Sequence, residues 1–181
     1  MLNSIISADQ HITTFLASLV PHNPVTTILF SFFSLKGSYF FVWILFLVGV
    51  LFWNRKHYLN ILIFFIVGFS VAWILTNYLI KPLVRRPRPW VAEHLSTEVC
   101  PKDFSFPSGH ATGAFAGAAV FAYFDRKRRF IYYPVAALIA YSRVFLYCHY
   151  LLDIIIGALI GYIMSRLTIA IIPYRRPQPE S

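Results

Sequence analysis

The 181-residue chain is 58% hydrophobic and 18% aromatic, has only 13% charged residues, and carries a net charge of +9. A soluble domain usually has about 25% charged residues, so composition excludes an ordinary soluble domain and predicts an integral membrane protein. The basic excess raises nucleic acid as a partner, but no basic–aromatic module accompanies it. In a membrane chain such an excess follows topology and anionic headgroups.

In chain order, the first 35 residues contain no Lys or Arg. That argues against a signal peptide and for an N-terminus outside. Leu2, Ile5, Ile12, Leu16 and Leu19 keep helical spacing. Asn23-Pro24 then has the form of an N-cap followed by Pro at the first helical position, with Val25, Ile28, Leu29 and Phe32 on one face. Two amphipathic helices lying at the outer interface are predicted; a sixth, Pro-interrupted span across 12–34 is the alternative. Stretches 37–53 and 58–80 hold no charge, and 108–124, 130–148 and 150–172 are the next candidate spans, a crossing helix needing about 20 apolar positions. The expected fold is all-α, an integral membrane bundle of five to six transmembrane helices in a single domain, 1–181. Residues 1–36 form the interfacial helices, 37–172 the bundle and 173–181 a cytoplasmic tail. Gly113, Ala114, Gly117 and Ala118 make a small-residue face, read as close helix packing inside the bundle.

The connections fix an orientation. Arg55-Lys56-His57, Arg126-Lys127-Arg128-Arg129 and Arg175-Arg176 fall on one side of alternating spans, the cytoplasmic side by the positive-inside rule. Loop 81–107 lies on the other side yet carries Lys81, Arg85, Arg86, Arg88 and Lys102. Cations there need another reason, and an anionic substrate supplies one.

Three groups converge on that outer side. KPLVRRPRP, 81–89, is a Pro-stiffened stretch that holds Lys81 and Arg88 in place; by itself it reads equally as a snorkelling juxtamembrane cluster. Pro107-Ser108-Gly109-His110 opens the third span, Ser108 as N-cap and the next N–H groups at the positive end of the helix dipole, a place for phosphate. By itself it is an ordinary cap followed by a histidine. In SRVFLYCHYLLD, 142–153, Arg143 and Asp153 sit near membrane depth, where ionisable groups are functional or paired. His149 and Asp153 are four apart, so the carboxylate is able to hold one imidazole nitrogen and leave the other nucleophilic; an Arg143–Asp153 ion pair is the plainer reading. The joint occurrence on one side favours a phosphate site.

With six residues between Lys81 and Arg88, five between Arg143 and His149, and three between His149 and Asp153, the three stretches resemble the signature motifs of the type 2 phosphatidic acid phosphatase superfamily. The resemblance covers 81–153 and implies a metal-independent membrane phosphatase with a phosphohistidine intermediate and no cofactor. By it, His149 is the nucleophile, Asp153 orients it, and His110 protonates the leaving oxygen and then activates water. Lys81, Arg88, Ser108, Gly109 and Arg143 clamp the phosphoryl oxygens. Only Asp153 of the seven acids falls inside the motifs, so no acidic cluster offers itself to a metal, and fixed cations with a helix N-terminus take its part. Arg85 and Arg86 are read as contacts to a second phosphate, with the lipid headgroups as the alternative.

A site at the outer face of a bundle with little extramembrane mass suits a lipid phosphate entering laterally. The chain resembles undecaprenyl diphosphate phosphatases of the bacterial inner membrane, and five cations in one loop favour a diphosphate. Lipid A 1-phosphatases, phosphatidylglycerophosphate and phosphatidic acid phosphatases, and a lipid phosphotransferase are alternatives. A phosphate-binding transporter is the non-enzyme reading, and it does not need His149 paired with Asp153. No obligate protein partner is evident. Cys100 and Cys148 are read as two free thiols, with a disulfide stapling the outer loop as the alternative.

Overall fold

The computed structural model of the chain describes residues 2–34, 38–53, 57–92 and 100–173. Arg55, Lys56, Arg175 and Arg176 of the basic clusters, Glu93, Glu98 and Glu180, and the tail from 174 lie outside the described residues. Every regular element among the described residues is helical.

Helices α1 (Leu2–Ser18) and α2 (Pro24–Ser34) come first. The Asn23 side chain accepts from the Thr26 N–H at 3.0 Å, so α2 starts as a capped helix with Pro at its first position. The apolar stripes of both helices face away from the protein: Ile5 and Ile12 of α1, Leu19 just past its end, and Val25, Ile28 and Leu29 of α2 are all at least half exposed or close to it. The side of α1 that is buried is a stripe of small and polar residues at four-residue steps, Asp9, Thr13 and Ala17. Both helices lie against the rest of the fold. Tyr141 donates to the Leu16 carbonyl at 2.9 Å, and His22 stacks on Phe145 with centroids 4.1 Å apart.

α3 (Ser38–Trp53) and α4 (Tyr58–Ile74) follow. α4 runs on through a π-helical turn, Leu75–Ile80, into the short α5 (Lys81–Val84). The wider turn keeps steps of four residues on one side, and Trp73, Asn77 and Lys81 all line one cavity. Arg85 ends α5 in the left-handed region at φ 50° and turns the chain toward α6 (Pro89–Ala92). After loop 100–108, α7 (Gly109–Phe124), α8 (Arg129–Phe145) and α9 (Leu151–Ile171) complete the bundle. α7 is its centre, packed on α3, α4, α8 and α9, and it is buried along nearly its whole length. Trp43, Phe64, Phe121 and Tyr132 form the aromatic core at the end of α7 remote from Gly109.

Two stretches, Tyr58–Ala92 and Leu151–Ile171, are long and apolar enough to cross a membrane by length and composition; α3, α7 and α8 are 16, 16 and 17 residues long. Gly113 and Gly117 of the small-residue face meet aromatic side chains, Phe69 on one hand and Phe65 and Trp43 on the other. The closest backbone approach is made elsewhere. Gly157 and Gly161 of α9 lie so near α7 that an added Cβ at Gly157 stands 2.6 Å from the Ser108 carbonyl oxygen, and one at Gly161 overlaps that of Thr112.

Candidate active site

The π turn of α4, the N-terminus of α7 and the α8–α9 turn meet around a cavity of about 610 Å³. Lys81, Arg88, Gly109, His110 and His149 all line it, so residues from all three sequence groups share one space. Ser108 and Arg143 are fully buried and do not contribute to its wall.

Each element delivers its side chain for a local reason. Ser108 has extended backbone, and its hydroxyl accepts from the Ala111 N–H at 3.4 Å, which starts α7 and leaves Gly109 open to the cavity. Its own N–H donates to the Asp153 carbonyl at 3.0 Å and ties the starts of α7 and α9 together. At the end of α8 the Cys148 and His149 N–H groups both fold back onto the Arg143 carbonyl, at 2.9 and 3.1 Å. Tyr147 takes a left-handed φ of 55° to allow this, a conformation that costs a non-glycine residue of order 1 kcal/mol and tends to occur at functional sites. His149 is thereby turned inward and is 1% exposed.

The arrangement assigns the imidazole proton. Asp153 takes bonds from the Tyr150 N–H at 2.9 Å, from Arg86 Nη1 at 2.9 Å and from the Ser105 hydroxyl, a donor set that suits an ionised carboxylate. With its own hydrogen on Asp153, Ser105 Oγ is left as an acceptor. It lies 3.4 Å from His149 Nδ1, the same distance as Asp153 Oδ2. Nδ1 therefore carries the hydrogen and Nε2 the lone pair, and Nε2 receives Arg88 Nη1 at 3.0 Å.

Arg88 is the hub of the cations. Beyond His149 it donates to the carbonyls of Asp103, Phe104 and Cys148, and it pairs with the Asp103 carboxylate at 2.5 Å. Lys81 Nζ holds the other oxygen of that carboxylate at 2.8 Å. An internal anion thus lies across two cations beside Nε2. Partial burial pushes the Asp103 carboxyl up, but the bonds and charges of Lys81 and Arg88 outweigh it and hold it below the ordinary carboxylate range. With the folded value below the unfolded one, this pairing stabilises loop 100–108 at neutral pH, and the contribution is lost as pH falls through the depressed value. On the far side of the cavity, His110 Nε2 and Arg143 Nη1 both reach the Ser34 carbonyl, at 3.0 and 3.1 Å, which brings the C-terminus of α2 into the site.

Two readings from the sequence are corrected here. Cys100 and Cys148 are not free thiols but a disulfide that closes 48 residues and anchors loop 100–108 beside His149. The cation of Asp153 is Arg86 rather than Arg143. Arg85 and Arg86 both lie off the cavity wall. Arg85 Nε is held by the Pro82 carbonyl at 2.8 Å, whereas Arg86 bridges Asp153 and Asp9 and lies 3.8 Å above the Tyr150 ring. Lys102 lines the cavity instead. Ser105, Asp103 and Asp9 were missed in the motif reading. Ser105 and Asp103 stand within five residues of Ser108 and were within reach of it; a lone acid in an amphipathic helix was the one signal for Asp9.

An all-helical, membrane-type bundle that gathers cations around a buried histidine is built to receive an anion such as a phosphate group. The chain belongs to the PAP2 superfamily, whose family profile matches residues 65–177. It is 31% identical to an undecaprenyl-diphosphatase of Sulfolobus acidocaldarius over 92% of this chain and 82% of that protein. It is also 31% identical to undecaprenyl-diphosphatase BcrC of Bacillus subtilis, over 67% of this chain and 63% of the relative. In three dimensions it superimposes on the crystal structure of a transmembrane PAP2-type phosphatidylglycerolphosphate phosphatase from Bacillus subtilis with a TM-score of 0.68. That match has 24% identity and covers 96% of this chain and 90% of the other.

Proposed function

We propose that the protein hydrolyses a lipid diphosphate at the outer face of the cell membrane through a phosphohistidine on His149, with undecaprenyl diphosphate as substrate and undecaprenyl phosphate as product. The observation that carries this reading is the Asp103 carboxylate lying across Lys81 and Arg88 beside the Nε2 lone pair. A phosphoryl group entering there displaces the internal anion and meets the nucleophile. His149 Nε2 attacks phosphorus, the bond to the leaving oxygen breaks, and His110 supplies the proton that oxygen takes. Water then gives a proton to His110 and its oxygen to phosphorus, and the P–N bond breaks. Lys81, Arg88, Arg143 and the Ser108–Gly109 helix start balance the spread negative charge without a metal. Lys102, rather than Arg85 or Arg86, faces a second phosphate.

The exposed apolar stripes of α1 and α2 support a seat for both helices in the outer interface, with 37–172 as the membrane bundle of five spans and 1–181 as one domain. Arg126, Lys127, Arg128 and Arg129 join the far ends of α7 and α8, opposite the cavity, which supports an outward-facing site. The two undecaprenyl-diphosphatase relatives favour the diphosphate lipid.

The test is phosphate release by purified protein in detergent with EDTA, offered undecaprenyl diphosphate, lipid A, phosphatidylglycerophosphate and phosphatidic acid. Release is expected to survive EDTA and to be fastest from undecaprenyl diphosphate. Loss of activity in EDTA, restored by added metal, defeats the mechanism; transfer to an acceptor lipid without release marks a phosphotransferase. Asp103→Asn removes the internal competitor and is expected to lower KM by roughly 3- to 10-fold, as when a larger fraction of molecules is competent to bind. An unchanged or raised KM in that variant gives Asp103 a different part.

A further inference from the structure

Asp9 is the one carboxylate of α1, and it is 3% exposed. Burying a carboxylate is costly unless it is paired and fully bonded, and every contact it makes leads to the first turn of α9. Its Oδ2 holds Arg86 Nη2 at 2.6 Å, and its Oδ1 accepts the Leu152 N–H at 3.0 Å. One turn further along α1, Thr13 Oγ1 accepts the Leu151 N–H at 2.9 Å. α1 therefore caps α9 from outside, satisfying two of the amide groups that a helix start leaves unpaired. The third residue of that turn is Asp153.

The charges follow the same route. Arg86 is shared between Asp9 and Asp153, at 2.6 and 2.9 Å, and its plane is supported by the Tyr150 ring. One guanidinium between two carboxylates leaves the group net negative. Asp153 thus retains charge to direct at the Nδ1–H of His149, instead of being neutralised by a cation of its own. Without Asp9, Arg86 belongs to Asp153 alone and loses the partner that fixes its position.

We propose that Asp9 is a positioning residue of the phosphatase site: α1 is a working part of it, and its carboxylate sets both the geometry and the net charge of the Arg86–Asp153–Ser105 chain behind His149. This rests on the reading of His149 as nucleophile. Asp9 bonds Arg86 and the Leu152 amide, neither of which lines the cavity, so its removal acts on turnover and leaves the phosphate cradle intact.

The experiment compares the full-length wild type, Asp9→Asn, Asp9→Glu and His149→Ala in phosphate release from undecaprenyl diphosphate and phosphatidylglycerophosphate, with a thermal melt of each in detergent. Asp9→Asn is expected to lose roughly 10- to 100-fold in kcat, the range typical of residues that orient a functional histidine from behind. KM is expected to stay within about 2-fold, and Asp9→Glu to recover part of kcat because it restores the charge. If Asp9→Asn does not purify folded, the kcat-against-KM split of Asp9→Glu is read instead. The inference is overturned if His149→Ala is dead while Asp9→Asn turns over like wild type. It is also overturned if kcat and KM both worsen in step with a lowered melting midpoint and Asp9→Glu rescues neither. Activity remaining in His149→Ala counts against the underlying mechanism, whatever Asp9 does.

Discussion

His149→Ala is expected to reduce phosphate release by ~10⁴-fold or more, to the background of the assay, as removal of a nucleophile from a cooperating set does. In the proposed mechanism the Nε2 lone pair attacks at the Lys81–Arg88 anion position, and Arg88 Nη1 already marks its direction at 3.0 Å. Alanine also leaves Arg88 and Ser105 without their imidazole partner, but Arg88 keeps its bonds to the carbonyls of Asp103, Phe104 and Cys148. The cradle should therefore survive, and the variant should still bind substrate while failing to turn it over. Rapid quench with ³²P-labelled diphosphate lipid adds the direct observation: acid-labile, base-stable label on the wild type and none on the variant. Label retained on His149→Ala, or turnover within 10-fold of wild type, removes His149 from the nucleophile's place.

The second large effect concerns stability. Gly161→Ala is expected to destabilise the fold by about 3 kcal/mol, the upper end of ordinary overpacking penalties. The new methyl group meets backbone, the Thr112 carbonyl and the Ala116 nitrogen, the latter at 2.9 Å, and backbone has no rotamer to retreat into. α9 must shift away from α7, and the Ser108-to-Asp153 bond between their first turns shifts with it, so activity falls as well. Gly113→Ala is the control. Its Cβ approaches the Phe69 ring at 2.8 Å, a side chain able to turn aside, and a smaller loss is expected. Thermal melts in detergent compare the two; equal midpoints refute the backbone-contact account.

The motifs were legible because their chemistry is local. Lys81 and Arg88 flank the Arg85 turn, Ser108 and Gly109 form one helix start, and His149 and Asp153 flank the Tyr150 cap of α9, so a short separation brings each pair close even though His149 lies outside the helix that its spacing suggests. The partners behind them were not legible, because they come from far along the chain. Arg86 meets Asp9 across 77 positions, and Leu152 meets it across 143. Ser105 enters between His149 and Asp153 only because loop 100–108 is anchored by a disulfide and by Arg88. Arg86 was read toward substrate because charge count says nothing of which carboxylate a guanidinium faces.

Composition and periodicity by themselves determined that this is an apolar helical bundle, and three short motifs marked the residues that meet around its cavity. Which side of each helix turns inward was decided by tertiary structure. In α1 the apolar stripe that periodicity picks out faces away from the protein, while Asp9, Thr13 and Ala17 face the bundle. In a membrane the hydrocarbon accepts apolar side chains as readily as a protein interior does. Polar groups, hydrogen bonds and close backbone contact therefore decide what lies inside, and these depend on partners that no local pattern names.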